Sequence, residues 1–137
     1  MTTVSPGAAP APSTPVSPAD EAAIRATIDD YYLGWYDGDG ERMSRALHPD
    51  LSKRGWLVDR SGHRILDADT RETMVTAAAA GRGRREDADQ RRFLVEIADV
   101  YGDIAAAVVH AVPYIDYVHL IRTPDGWRIV NALWAPA

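Results

Sequence analysis

The chain has 137 residues, of which 46% are hydrophobic and 26% charged, and its net charge is -5. That length accommodates one domain with one core, and the acidic balance offers no excess of cations to neutralise phosphates, which argues against nucleic acid as a partner. No run approaches the roughly 18 apolar residues of a membrane span, and the absence of Cys excludes disulfides, thiolate metal sites and cysteine nucleophiles; together these predict a cytoplasmic protein.

Residues 1–17 contain no charged side chain, and five prolines fall among the first 18 positions. Proline blocks helix and strand alike, so this stretch reads as a disordered tail, without the basic start and apolar core of a secretory signal. The folded domain is expected over 18–137. Ser17-Pro18 followed by Asp20 and Glu21 suits a helix start: a serine cap, a proline in the first turn and acids at the positive end. Ile24, Ile28, Tyr31 and Trp35 then recur on one helical face as far as Asp37-Gly38-Asp39-Gly40. A second, short helix with Met43, Ala46 and Leu47 inward is expected to end at His48-Pro49.

Leu51 to Asp59 reads as a strand, 60–62 as a turn and His63 to Leu66 as a short return strand. Asp69 with Glu72 resembles a capping box for a third helix, which presents Met74, Val75 and Ala78 inward and stops at Gly81. The charged, Gly-punctuated stretch 82–90 predicts a mobile loop. Four strands follow: Phe93 to Val100, Ile104 to Val112, Tyr114 to Arg122 and Trp127 to Trp134. Gly102-Asp103, Pro113 and Pro124-Asp125-Gly126 separate them. Helices followed by an antiparallel meander predict an α+β domain with its helices on one face of the sheet. The late strands are apolar on both faces: Ile115, Tyr117 and Ile121 alternate with Tyr114, Val118 and Leu120. One face would stay bare in a monomer, which predicts a homodimer through the sheet.

Four segments carry a resemblance. Tyr31-Tyr32-x-Gly34-Trp35-Tyr36-x-Gly38-Asp39, His48-Pro49-Asp50-Leu51-x-Lys53-Arg54, Asp116-Tyr117-x-His119-Leu120 and Asp125-Gly126-Trp127-Arg128-Ile129-Val130-Asn131 resemble the "putative lumazine-binding" branch of the nuclear transport factor 2-like superfamily. SnoaL-type cyclases and ketosteroid isomerase are relatives of that branch. The resemblance spans about residues 19–135. It implies a cone-shaped fold, about three N-terminal helices packed on a curved, mostly antiparallel sheet, with a pocket between them. Because isomerases, cyclases, dehydratases and binding domains share this fold, activity must be argued from the site.

Matched to the isomerase, Tyr31 falls at the oxyanion-hole tyrosine and Asp116 at the oxyanion-hole acid. Such a pair stabilises an enolate by hydrogen bonds as charge develops on oxygen; that enzyme's buried, neutral acid is a standard case of desolvation holding a carboxyl protonated. Asp116 sits amid Tyr114, Ile115, Tyr117 and Val118, where the same physics raises its pKa. The isomerase's base falls at about Gly55, which has no side chain, so His48, with an ordinary pKa near neutrality, is the substitute candidate; a helix C-cap is its structural alternative. Lys53 and Arg54 are adjacent on a strand and must face opposite ways, so one can reach an anionic ligand. Tyr114 and His119 flank Asp116 on the same strand, and His119, like His110, also suits packing or an interface. Trp35, Trp56, Trp127 and Trp134 offer stacking surfaces as well as core bulk. The expected ligand-binding set is Trp35, Lys53, Trp56, Tyr114 and His119, beside Tyr31, Asp116 and His48 as the catalytic set.

The four histidines show no metal-ligand spacing, so no metal is expected. Gly81-x-Gly83 does not join a strand to a helix as a nucleotide loop would. Ser44 and Ser61 lie outside any nucleophile elbow. Two functions remain from the sequence: a cofactor-independent enzyme moving protons on a cyclic carbonyl or polyketide-like compound, or a non-catalytic domain holding a flat, pterin-like heterocycle.

Overall fold

The computed structural model describes residues 16–137, so the predicted tail lies outside the described residues apart from Val16 and Ser17. The chain runs through α1 (Pro18–Asp37), α2 (Gly40–Ala46), β1 (Leu47–Val58), β2 (Arg64–Asp69), α3 (Arg71–Ala79), a 3-10 turn (Ala88–Arg91), β3 (Phe93–Tyr101), β4 (Ile104–Ala111), β5 (Tyr114–Thr123) and β6 (Gly126–Pro136). Three helices pack on a curved six-stranded sheet of order β2-β1-β6-β5-β4-β3. Every neighbouring pair is antiparallel except β1 with β6.

Local chemistry explains the helix ends. The Ser17 hydroxyl accepts from the Asp20 amide at 3.1 Å, and Gly38 closes α1 in the left-handed region at φ 66°. Ile24, Ile28 and Tyr31 are buried as the periodicity predicts, but Tyr32 and Tyr36 join them while Trp35 stays half-buried. The buried stripe is therefore wider than the four-residue repeat implied, because α1 is covered both by the sheet and by α2. Thr70, not Asp69, caps α3: its hydroxyl accepts from the Thr73 amide at 3.2 Å, and the Thr73 hydroxyl accepts from the Thr70 amide at 2.9 Å.

Two expectations need correction. β1 begins at Leu47 rather than Leu51, so His48 and Pro49 lie in a strand and not at a helix end. Pro49, which has no N–H, falls where the register between β1 and β6 shifts, between Leu47 and Ser52, so no ladder bond is lost. β2 continues past Leu66 to Asp69, placing Asp67 and Asp69 in the sheet. The 82–90 stretch is a loop as expected, entering a 3-10 turn at Ala88; the Arg85 amide donates to the Tyr36 carbonyl at 3.3 Å, and Arg91, just beyond it, pairs with Asp37 at 2.7 Å.

Alternation sorts the late strands into an inner face (Val95, Ala105, Ala107, Val109, Val118, Leu120) packed on the helices and an outer face. Leu94, Tyr101, Ile104, Tyr117 and Leu133 are exposed on that outer face, each more than half accessible. Among the described residues, no helix is long and apolar enough to cross a membrane.

Candidate functional site

A cavity of about 290 Å³ opens between the helices and the β2, β1, β6 and β5 end of the sheet. Its walls come from Tyr31, Tyr32 and Trp35 of α1, Lys53 and Leu57 of β1, Asp67 and Asp69 of β2, Met74 and Ala77 of α3, Tyr114 and Asp116 of β5, and Trp134 of β6, with exposed Arg82 at the mouth.

Parity along the strands selects the polar groups. On β5 the inner positions are Tyr114, Asp116, Val118 and Leu120; on β1 they are Leu51, Lys53, Gly55 and Leu57. Asp116 is 2% exposed. Its Oδ2 accepts from the hydroxyls of Tyr31 and Tyr32, each at 3.1 Å. The Lys53 ammonium donates in turn to the Tyr31 oxygen and lies 4.9 Å from the Tyr31 ring centroid. A continuous relay thus runs from Lys53 through Tyr31 to Asp116, with Tyr32 on the same oxygen. Among the described residues, Asp116 Oδ1 is buried without a partner, and so is the indole Nε1 of Trp134. Buried polar atoms are ordinarily satisfied, and both of these belong to residues that line the cavity.

Burial dominates the electrostatics. Desolvation raises the Asp116 pKa, opposed by Lys53 and by the two tyrosine hydrogen bonds. Desolvation lowers that of Lys53, opposed by Asp116, Asp69 and Asp67. Tyr31 and Tyr32 are pushed well up, first by burial and then by the Asp116 charge, so both stay protonated donors. The Asp67 carboxyl is also raised, by burial and then by the adjacent Asp69, with Lys53 acting against them.

The structure brings together Tyr31, Asp116, Trp35, Lys53 and Tyr114 from the expected set, and leaves out His48, Trp56 and His119. All three sit one residue away from an inward position. His48 follows buried Leu47, and its Nδ1 accepts from the Asp50 amide at 3.0 Å. Trp56 lies between inward Gly55 and Leu57, exposed under the Arg64 guanidinium at 4.6 Å. His119 lies between Val118 and Leu120 and meets Asn131 at 3.1 Å on the outer face. Tyr32, Asp67, Asp69 and Arg82 line the cavity without having been placed there from sequence, and Trp134, expected as a stacking surface or core bulk, joins them. Tyr32 is adjacent to Tyr31, and the Asp-x-Asp spacing of 67 and 69 marks one face of a strand, so alternation could have found the pair once β2 was extended.

Gly55 is explained by packing. A Cβ there would overlap the Trp134 indole, which fills the space above β1. Tyr114 meets the Trp134 ring edge-on, with centroids 5.6 Å apart. Among the described residues, no three His, Asp or Glu side chains are grouped as metal ligands.

Three helices packed on a curved six-stranded sheet, with a polar-aromatic cavity opening between them, form the nuclear transport factor 2-like architecture. The family described as "Putative lumazine-binding" matches residues 19–135, and the chain belongs to it. An NTF2-like protein of unknown function from Methylobacillus flagellatus superposes with a TM-score of 0.68 at 23% identity, covering 91% of this chain and 98% of that one. One from Silicibacter pomeroyi gives 0.65 at 18% identity, covering 89% and 100%. An NTF2-like protein with a cystatin-like fold from Novosphingobium aromaticivorans gives 0.57 at 20%, covering 86% and 82%. At these identities the likeness is one of fold. No curated protein matches the chain.

Proposed function

We propose that the protein is a cofactor-independent enzyme that moves a proton on a cyclic carbonyl or polyketide-like compound held in the cavity. The observation that carries this reading is the Asp116 carboxyl, whose Oδ2 takes both tyrosine hydrogen bonds while Oδ1 has no partner. Asp116 protonates on the free oxygen, because the other is already engaged twice. A protonated Oδ1 is a donor for a substrate carbonyl oxygen, and it strengthens as that oxygen gains charge. Burial favours the protonated state. Tyr31 then supports Asp116 rather than donating to substrate beside it, and Lys53 supplies positive potential through Tyr31. Trp35, Tyr114 and Trp134 hold a flat skeleton by their faces and edges. The volume stands at the low end of the roughly 300–1,000 Å³ usual for ligand pockets, which suits a ligand of one or two rings.

A second reading has its own support. The unpartnered Trp134 N–H beside the unpartnered Asp116 oxygen forms a donor and acceptor pair suited to the amide-like edge of a pterin-type heterocycle. The protein would then bind without converting. In both readings the domain spans 18–137, and the exposed outer face of the sheet pairs with a second copy.

Thermal shift against pterins, flavins, steroids and aromatic polyketides tests the cavity, since a ligand at about 100 times its Kd adds roughly 2.7 kcal/mol of stability. Hits are then incubated with protein in heavy water. Deuterium entering a carbon position, abolished in Asp116→Asn, supports the enzyme; a bound ligand that gains none supports the binding domain. If no ligand raises Tm in wild type more than in Asp116→Asn, this cavity is not the site.

A further inference from the structure

The vacancy at Gly55 leaves the proposed reaction without a base, and one rung of the sheet supplies a replacement. Asp116 pairs with Trp134 across β5 and β6. Trp134 pairs with Gly55 across β6 and β1, and Gly55 pairs with Asp67 across β1 and β2. Asp116 and Asp67 therefore stand at the two ends of a single four-residue rung, and both line the cavity. Strands lie about 4.8 Å apart, so three steps separate the two backbones by about 14 Å along the sheet. The cavity of about 290 Å³ that both residues line has room for a small ring system. Between them Trp134 forms the floor, and Gly55 is bare so that the indole can lie there.

We infer that Asp67 is the general base of this site, moved one strand outward from Gly55, and that Asp69 is its positioning residue. This rests on the enzyme reading above. Asp67 takes a proton from the carbon next to the substrate carbonyl. The C–H electron pair forms the carbon–carbon double bond of the enolate as the carbonyl π pair moves to oxygen, and protonated Asp116 Oδ1 donates a hydrogen bond to that oxygen. Asp67, whose carboxyl proton exchanges with solvent, then returns a proton to another carbon, so nothing else is consumed. Asp69, two residues along the same strand face, accepts a hydrogen bond from the Thr73 hydroxyl at 2.8 Å, which fixes its carboxylate beside Asp67. The groups facing Asp67 are Asp69 on its own strand, Lys53 on β1, Asp116 on β5 and Arg82 at the mouth. A like charge beside a half-buried carboxyl makes it a better proton acceptor, and Lys53 limits that effect. The paired carboxylates alone would be a solvated acidic patch; the 98% buried Asp116 side chain on the same cavity, whose Oδ1 has no partner among the described residues, is the independent sign of a ligand.

Nitrobenzisoxazole tests this directly. A base removes its ring-carbon proton as the N–O bond breaks, releasing a coloured cyanonitrophenolate and requiring no cofactor. Nitrobenzotriazole, of similar shape but lacking the acidic carbon proton, reports binding by quenching the cavity tryptophans. The expected result is wild-type elimination with an inflection above the ordinary carboxylate range. Asp67→Asn should lower the rate by about 100-fold or more with benzotriazole binding and far-UV circular dichroism unchanged. Asp69→Asn should keep the reaction but move the inflection down. Equal rates in wild type and Asp67→Asn overturn the assignment. Wild-type binding of benzotriazole without elimination also overturns it, while leaving the cavity as a ligand site. Absence of binding overturns the cavity reading and the base together.

Discussion

Asp116 concentrates the physical cost of this fold. Aspartate is depleted in strand interiors, yet here it is 2% exposed with two tyrosine donors on one oxygen and none on the other. The linkage has a definite sign. Its folded pKa is raised above the unfolded value of 3.8, so the native chain binds more protons than the unfolded chain between the two. Stability associated with the neutral carboxyl is fully present below the unfolded pKa and is lost as pH rises through the folded one. Urea denaturation of wild type and Asp116→Asn across about pH 3 to 8 should show the variant gaining on wild type as pH rises. A constant gap between the two curves would mean that Asp116 does not titrate differently in the folded chain. Lys53 acts in the opposite direction at higher pH, since its folded pKa is lowered and stability returns as it loses its proton.

At the scale of elements, the parallel contact of β1 with β6 shapes the cavity. It sets Gly55 against Trp134 and carries Lys53 inward two residues earlier. The indole occupies the space that a side chain at 55 would need. Overfilling a packed contact costs about 1–3 kcal/mol, so Gly55→Ala should lose roughly that much in urea unfolding. Its near-ultraviolet circular dichroism should change as Trp134 is displaced. Unchanged stability would show that the indole moves aside freely and that Gly55 has no packing role. The same contact explains why a base cannot be restored at 55 by a single substitution.

Across the whole molecule, the helices cover one face of the sheet and leave the other to solvent. Tyr101, Ile104, Tyr117 and Leu133 are more than half exposed there, and the proposed sheet dimer would bury them. Tyr117, on β5 near the middle of the sheet, is the position to test. Sedimentation should give a dimer for wild type and a monomer for Tyr117→Glu, because a buried unpaired charge is costly. A wild-type monomer with this face exposed would rule out the sheet dimer. The cavity opens on the opposite, helical side of the sheet, so the substitution should leave ligand binding intact.

Much of this architecture was legible in the chain, because it rests on local physics. Periodicity placed α1 and its buried stripe, turn residues placed the four late strands, and the four motifs pointed to the family that matches 19–135. Strand alternation already required Lys53 and Arg54 to face opposite ways, as they do. What the chain could not reveal was the start of β1 at Leu47, the extension of β2 to Asp69 and the absolute phase of each strand. A shift of one residue turns a side chain from cavity to surface, which is why His48, Trp56 and His119 fall outside while Asp67, Asp69 and Trp134 fall inside. Residues 31, 53, 67, 116 and 134 are scattered along the sequence, and pairing between distant strands brings them to one cavity. Local sequence determined the elements and their apolar faces; long-range register alone decided which polar side chains share a wall, because that choice depends on partners far away in the chain.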